Sequence, residues 1–321
     1  MEFILTDKQY YIDIANAIRR KNESTEGYKP KEMANAIENL PRNPLELLYT
    51  EGAEISPEDW GSANVFVSST TRGNTLVSDS SLFNNTLCKK ISFPDTQTRA
   101  IGLLSNANLE EYDSGNGMQA SGGTNAFAYM FYNCSNLKIL WMGADFLPFA
   151  NYAFSGCSKL AQVHYRGTID RWAEEPRWAT NPDRATPFYA NTSGGSFYLG
   201  DSTSPLTEVV LTTASVVQPF AFYRFQNIEK VDLGASVETI NSSAFKACTS
   251  LKTLILRGDT VKTLTSANAF EGTPIADINS NGVILVPEAL MGEYMGATNW
   301  ATYTDKFQPG EQYPEIWGGA N

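Results

Sequence analysis

Four segments of this chain are written to one template, and that repetition constrains the fold more than any other feature. "MFYNCSNLKILWM", "AFSGCSKLAQVHY", "FYRFQNIEKVDL" and "AFKACTSLKTLIL" can each be counted from a phenylalanine: Phe131, Phe154, Phe222 and Phe245. Three residues on stand Cys134, Cys157, Phe225 and Cys248; six on, Leu137, Leu160, Ile228 and Leu251. Nine on come Leu140, Val163, Val231 and Leu254; eleven on, Met142, Tyr165, Leu233 and Leu256. Phe131 and Phe154 are 23 residues apart, as are Phe222 and Phe245. A period of this size marks a solenoid, whose stacked units bury a core that no single unit could make. Weaker copies flank these four: "LLSNANLEEYDS" around Leu109, "LFNNTLCKKISF" from Leu82, "AFEGTPIADI" from Ala269, and the strand half "LTEVVL" from Leu206. Together they make roughly seven coils, with the most degenerate at the ends, where caps belong.

Each copy divides into two parts. The last part alternates, as in "LKILWM", where Leu140 and Met142 share one face and Trp141 points away; this predicts a short strand with one buried face. The Phe, the Cys and the first Leu recur at a spacing of three, which suits a tight helical turn. Cys157 stands in a slot that Phe225 also fills, and an interchangeable Cys/Phe slot is a packing slot, since a free Cys behaves as a small hydrophobe. A bridge between the stacked Cys134 and Cys157 is possible but not required. The four cysteines lack the closely spaced pairs of a zinc site.

Other chemistry is sparse. There is no phosphate-cradling loop and no dinucleotide fingerprint. A Ser-His-Asp arrangement could use only His164, the single histidine, and no nucleophile-elbow sequence accompanies it. The pairs Glu110-Glu111 and Glu174-Glu175 are chain neighbours and diverge, so they do not face each other across a substrate. Asp170, Glu174 and Glu175 around Trp172 could line a glycosidase cleft. "EYDSGNG" could offer calcium ligands but lacks the full spacing. The reading is a non-enzymatic chain with no catalytic residue, cofactor or metal. The formal net charge of -11 argues against a duplex nucleic acid partner, which calls for a basic stripe. No run is long and apolar enough to insert in a membrane.

The pattern AFxxCxxLxxLxL resembles the BspA-like leucine-rich repeats of bacterial surface proteins over roughly residues 81 to 300. "YRGTIDRWAEE" (165 to 175) is similar to the excursion such proteins carry after a strand. "VILVPEALMGEYMGATNWATYTDKF" (283 to 307) is similar to their closing segment, with Pro287 before a helix and Trp300 near the final turn. The resemblance implies an α/β leucine-rich-repeat solenoid with short parallel strands, and a binding habit rather than a chemistry.

The first forty residues are of another kind. Thr6 and Gln9 form a capping box. Tyr10, Ile14, Ala17 and Ile18 fall on one helical face, "NESTEGY" breaks the helix, and Pro30 opens a second one faced by Met33, Ile37 and Leu40. This predicts a small N-terminal helical hairpin, too small to bury a core alone. "IANAIRRK", a polar turn and "YKPKEMANAI" resemble a segment of tail, baseplate and fibre proteins of phages and prophages of Gram-positive hosts. The start "MEFILTDKQYY" has no signal-peptide pattern.

The domain reading is therefore a hairpin at 1–41 for particle attachment or oligomerisation, a linker with irregular strands at 42–80, the solenoid at 81–286 with an insertion at 166–205, and a C-terminal cap and tail at 287–321. The functional expectation is a structural, receptor-binding protein of a phage or phage-tail-like particle, assembled in the host cytoplasm and located in the virion. Its expected partners are other tail or baseplate proteins, its own copies (a trimer favoured) and a host cell-surface glycan or protein. The alternative is a bacterial cell-surface adhesin, and a third reading is a polysaccharide-degrading tail protein. The expected ligand face is the outward side of the sheet. Position +10 from each repeat Phe reads Trp141, His164, Asp232 and Ile255, and position +8 reads Ile139, Gln162, Lys230 and Thr253. The candidate binding residues are Trp141, His164, Lys230 and Asp232, with Trp141 exposed so that a pyranose can stack on its ring.

Overall fold

The computed structural model describes residues 46–49, 65–68, 89–92, 108–116, 130–145, 152–175 and 186–318. The chain divides into two units, 1–45 and 46–321. The expected hairpin at 1–41 lies outside the described residues, and everything below concerns the second unit.

Among the described residues every strand pairing is parallel. Seven strands form the first sheet in chain order: β1 (Glu46–Tyr49), β2 (Val65–Ser68), β3 (Lys90–Ser92), β4 (Glu111–Asp113), β5 (Ile139–Met142), β6 (Gln162–Tyr165) and β7 (Ser196–Leu199). A second sheet runs β8 (Glu208–Leu211), β10 (Lys230–Leu233), β12 (Thr253–Leu256), β14 (Val283–Val286) and β15 (Phe307–Pro309). A narrow third sheet, β9 (Val216–Val217), β11 (Thr239–Ile240) and β13 (Thr263–Leu264), forms another side of the later coils.

The register follows the repeat count residue for residue. Leu140 pairs with Val163 and Met142 with Tyr165, while Val231 pairs with Leu254 and Leu233 with Leu256. All eight of these expected inward residues are fully buried. The repeat phenylalanines stack behind them. Phe131 and Phe154 lie 5.4 Å apart, Phe222 and Phe245 lie 5.0 Å apart, and Phe245 and Phe270 lie 5.6 Å apart, the last two pairs with nearly parallel planes.

The spacing of three resolves into hydrogen-bonded turns rather than a helix. Cys134 N donates to Phe131 O, Cys157 N to Phe154 O and Cys248 N to Phe245 O, and Leu137, Leu160 and Leu251 each donate back to the Cys. The second residue after each Phe takes a positive φ: Asn133, Gly156, Arg224, Ala247 and Gly272, between 58° and 87°. That left-handed step turns the chain back toward the strand. It also aims each coil's N–H groups at the next coil, as in Asn133 N to Ser155 O at 2.7 Å and Ala247 N to Glu271 O at 2.7 Å.

The described residues of the insertion expected over 166–205 include regular elements. They carry helix α1 (Ile169–Glu174) and, beyond it, β7, which extends the first sheet. Helix α1 is tied to the second sheet's first turn. The Asp170 carboxylate accepts the N–H groups of Thr212, Thr213 and Ala214 at 2.8 to 2.9 Å. Glu174 accepts the Ser215 N–H at 2.6 Å. Trp172 is buried, and its Nε1–H donates to Ala221 O at 2.8 Å.

The last coil is closed by helix α2 (Met291–Gly296) and the turns that follow. Trp300 Nε1–H donates to Lys262 O, Asn299 Nδ2–H to Leu264 O, and the Tyr303 hydroxyl to Ala267 O. These side chains occupy backbone acceptors at the edge of β13 that another coil would otherwise use. Helix α3 (Pro314–Trp317) then crosses toward the outer face of the second sheet.

Candidate ligand-binding face

In-register parallel pairing places equivalent residues of successive strands one strand spacing apart, close enough for flat side chains to stack. On the outer face of the first sheet this builds an aromatic ladder. Trp141 and His164 stack with centroids 3.6 Å apart and planes within 17°, and His164 and Tyr198 follow at 4.4 Å and 9°. The pairings Trp141↔His164 and His164↔Tyr198 supply the alignment. Asp113 continues the row on β4. Arg166, just past β6, reaches back to it with two bonds, 2.6 Å to Oδ1 and 2.9 Å to Oδ2, and its guanidinium lies over the Trp141 ring at 5.3 Å.

The four expected ligand residues do not form one site. Trp141 and His164 are neighbours on the first sheet, whereas Lys230 and Asp232 belong to the second. Their exposure also differs from the expectation. His164 does point outward, but it is only 6% exposed, because a ring covers each of its faces. Trp141 is half-buried, and its ring is taken up by His164 and Arg166 rather than being open for a pyranose. Asp232 is 4% exposed and clamped by Arg257, with 2.7 Å bonds to both carboxylate oxygens. Lys230 is paired with Glu208 at 2.6 Å. The outward Ile255 and its neighbour Leu285 are fully buried. Here Arg257 also donates to Trp317 O at 2.6 Å and lies 5.2 Å from the Trp317 ring, so the C-terminal segment is fastened over this half of the face.

Two residues of the face escaped the sequence count. Tyr198 lies within the insertion, ten residues after Phe188, in a copy the count passed over because Asn191 and Gly194 stand where the Cys and the first Leu belong. Asp113 sits in the degenerate copy around Leu109, where counting from Leu109 as position +6 places it at +10 beside Trp141. The same Asp–Arg device recurs in both sheets, with Arg166 and Arg257 each twelve residues after a repeat Phe.

Protonation follows burial. Desolvation lowers the His164 pKa, helped by the Arg166 charge; the Gly200 backbone and the charges of Asp201 and Glu111 oppose the shift. Burial likewise pushes the Cys157 thiol well up and the Cys248 thiol up to about 12. Cys134, Cys157 and Cys248 are buried thiols, and Cys157 Sγ donates to Phe131 O as Cys248 Sγ does to Phe222 O, at 3.0 and 2.9 Å. All three are packing groups, not nucleophiles, and Cys157 and Cys248 also carry a coil-to-coil bond. The cleft suggested around Trp172 does not form, since Trp172 is buried and Asp170 and Glu174 are spent on backbone N–H groups. In "EYDSGNG", Asp113 is engaged by Arg166 and by the Gly115 N–H at 2.9 Å. No cluster of metal-ligating side chains occurs among the described residues.

Parallel sheets built from one strand of each coil, with a second short strand in the later coils, backed by a phenylalanine stack and closed by an aromatic cap, define a leucine-rich-repeat solenoid. More narrowly, the sequence matches the BspA type Leucine rich repeat region in six copies over residues 78–175 and 201–286, more than half of the chain. The chain belongs to that family. A crystal structure of a leucine-rich repeat protein from Bacteroides ovatus is similar at 19% identity with a TM-score of 0.39. That alignment covers 69% of this chain and 54% of the other, so this chain spans about half the length of that protein. A search of curated proteins finds no significant match.

Proposed function

We propose that this protein is a non-enzymatic, adhesin-type binding module that engages a cell-surface protein through the outer face of β4–β7. One observation carries the reading. Both sheets carry an Asp–Arg pair on this face, but the chain's own C-terminal segment is fastened over β10–β14, whereas half-buried Trp141 and Tyr198 remain partly accessible on β5 and β7. Aromatic edges beside an arginine and hydrogen-bonding side chains such as Gln162 suit a protein surface. A sugar is the weaker candidate, because stacking requires an open ring face, and the ladder takes both faces of His164 and one face of Tyr198 while His164 and Arg166 share the Trp141 ring. Membership of the BspA-type family supports a surface-binding role. The particle-attachment reading rests on residues 1–41, which lie outside the matched and described residues, and nothing further favours it.

The test is binding of labelled full-length protein to Gram-positive cells and to cultured epithelial cells. Binding to one of them that is lost when the cells are pretreated with protease supports the proposal. Loss after periodate oxidation of surface sugars, with protease treatment harmless, would transfer the ligand to the glycan class. No saturable binding to either would remove the adhesin reading.

A further inference from the structure

We propose that His164 is a proton-operated release for this face: neutral, it holds the Trp141–His164–Tyr198 ladder together, and protonated, it opens it. The proposal concerns the regulation of the face named above, and its binding consequence rests on that reading, although the opening itself does not. His164 is the chain's single histidine and the middle ring of the ladder. It is almost wholly buried, and its Nδ1 is a buried side-chain atom with no hydrogen-bond partner. In the neutral ring that nitrogen can be a bare lone pair, which an apolar slot tolerates. In the imidazolium it must carry a proton, so a charged N–H would point at no acceptor.

The charged groups around the ring act on both sides. From the exit of β6, Arg166 brings a cation that already shares the Trp141 ring. From β4, Glu111 favours the protonated ring, and from the turn after β7 so do Asp201 and the Gly200 backbone. Glu111, however, is paired with Lys90 at 2.9 Å, and Asp113 is neutralised by Arg166. Asp201 is exposed and sits 3.9 Å from Arg166. Two aromatic faces would also attract an imidazolium. That attraction does not need the ladder geometry, since a ring turned toward Asp201 and water can satisfy both nitrogens. Opening is therefore the outcome that removes the unpaired N–H and separates the two cations.

The single histidine makes the test clean. Its imidazole resonances in the full-length protein should titrate with a midpoint below 6.5, and the ring-current shifts from Trp141 and Tyr198 should collapse with the same midpoint. Near-UV circular dichroism should follow that transition reversibly, with far-UV signal retained. His164→Phe, which keeps a flat ring in the slot, should show no such transition between pH 7 and pH 5. A midpoint at or above 6.5, or ring-current shifts that persist in the protonated state, overturns the proposal. Cell binding at pH 7 and pH 5 separates it from the adhesin reading. Binding that falls at least tenfold at pH 5 supports both. Equal binding at the two pH values with an open ladder removes the regulatory role, and absence of binding at pH 7 removes the adhesin reading while leaving the ladder transition to stand on its own.

Discussion

At the residue scale, the least expected determinant of this fold is the left-handed step two residues after each repeat phenylalanine. Glycine holds it at Gly156 and Gly272, but Asn133, Arg224 and Ala247 hold it in other coils. A side chain with a Cβ pays for that conformation, so Ala247→Gly should stabilise the protein by about 0.5–1 kcal/mol. The reverse change, Gly156→Ala, should destabilise by more, because a Cβ there would lie 2.4 Å from Asn133 Oδ1 and 2.9 Å from Asn133 Cα. Paired urea titrations measure both; equal and opposite effects at the two sites would show that backbone strain, and not contact, governs the step. Lys262 makes a second residue-level case. It is buried, it donates to Gly234 O and Val237 O, and desolvation lowers its pKa to about 8. A lysine depressed in the folded state binds fewer protons than in the unfolded chain between that value and about 10.4. Between pH 8 and pH 10 the buried Cys157 and Cys248 thiols, raised in the folded state, lower the unfolding free energy, and Lys262 opposes them with a rise, so Lys262→Met should steepen the net fall. Above pH 10 the buried tyrosines Tyr294 and Tyr303, both raised to about 12, add to the fall.

At the element scale, strand register was legible and connection was not. Counting from the phenylalanines placed Leu254 inside, and Leu254→Ala should cost roughly 2 to 5 kcal/mol, the range for an emptied core site. The alternation that identified β5, β6, β10 and β12 depends on local sequence alone. What a strand's outer face meets depends on its neighbours, and no spacing rule reports that. This is why His164 and Asp232 read as exposed but are buried, one by stacked rings and one under Arg257. Helix α1 illustrates the same limit. Its acidic residues looked like candidates for chemistry, yet Asp170 caps a turn more than forty residues later in the chain. Asp170→Ala should strip three charge-assisted bonds and cost about 2 kcal/mol, while Asp170→Asn, which keeps an acceptor oxygen, should recover a good part of it. Thermal melts of the two variants distinguish a capping role, in which Asn is the milder change, from simple helix propensity, in which Ala is.

At the scale of the whole molecule, one solenoid face is used in two ways. Over the second sheet it is sealed by residues 310–317, held by Arg257 through the Trp317 carbonyl and ring. Asp232→Ala would leave Arg257 buried without its carboxylate, and removing one partner of such a pair typically costs about 3–5 kcal/mol. Over the first sheet the same Asp–Arg pairing supports an aromatic ladder whose edges are partly accessible, and binding is proposed there. The most direct measurement is the cell-binding affinity of Gln162→Arg set against Lys159→Glu. Gln162 lies on the outer face of β6, two residues before His164, and is half-buried; Lys159 is exposed on the turn side of the same coil. The account predicts at least a tenfold loss for Gln162→Arg, with an unchanged melting temperature, and parental affinity for Lys159→Glu. Parental affinity for Gln162→Arg, or a loss for Lys159→Glu alone, would contradict the assignment of this face.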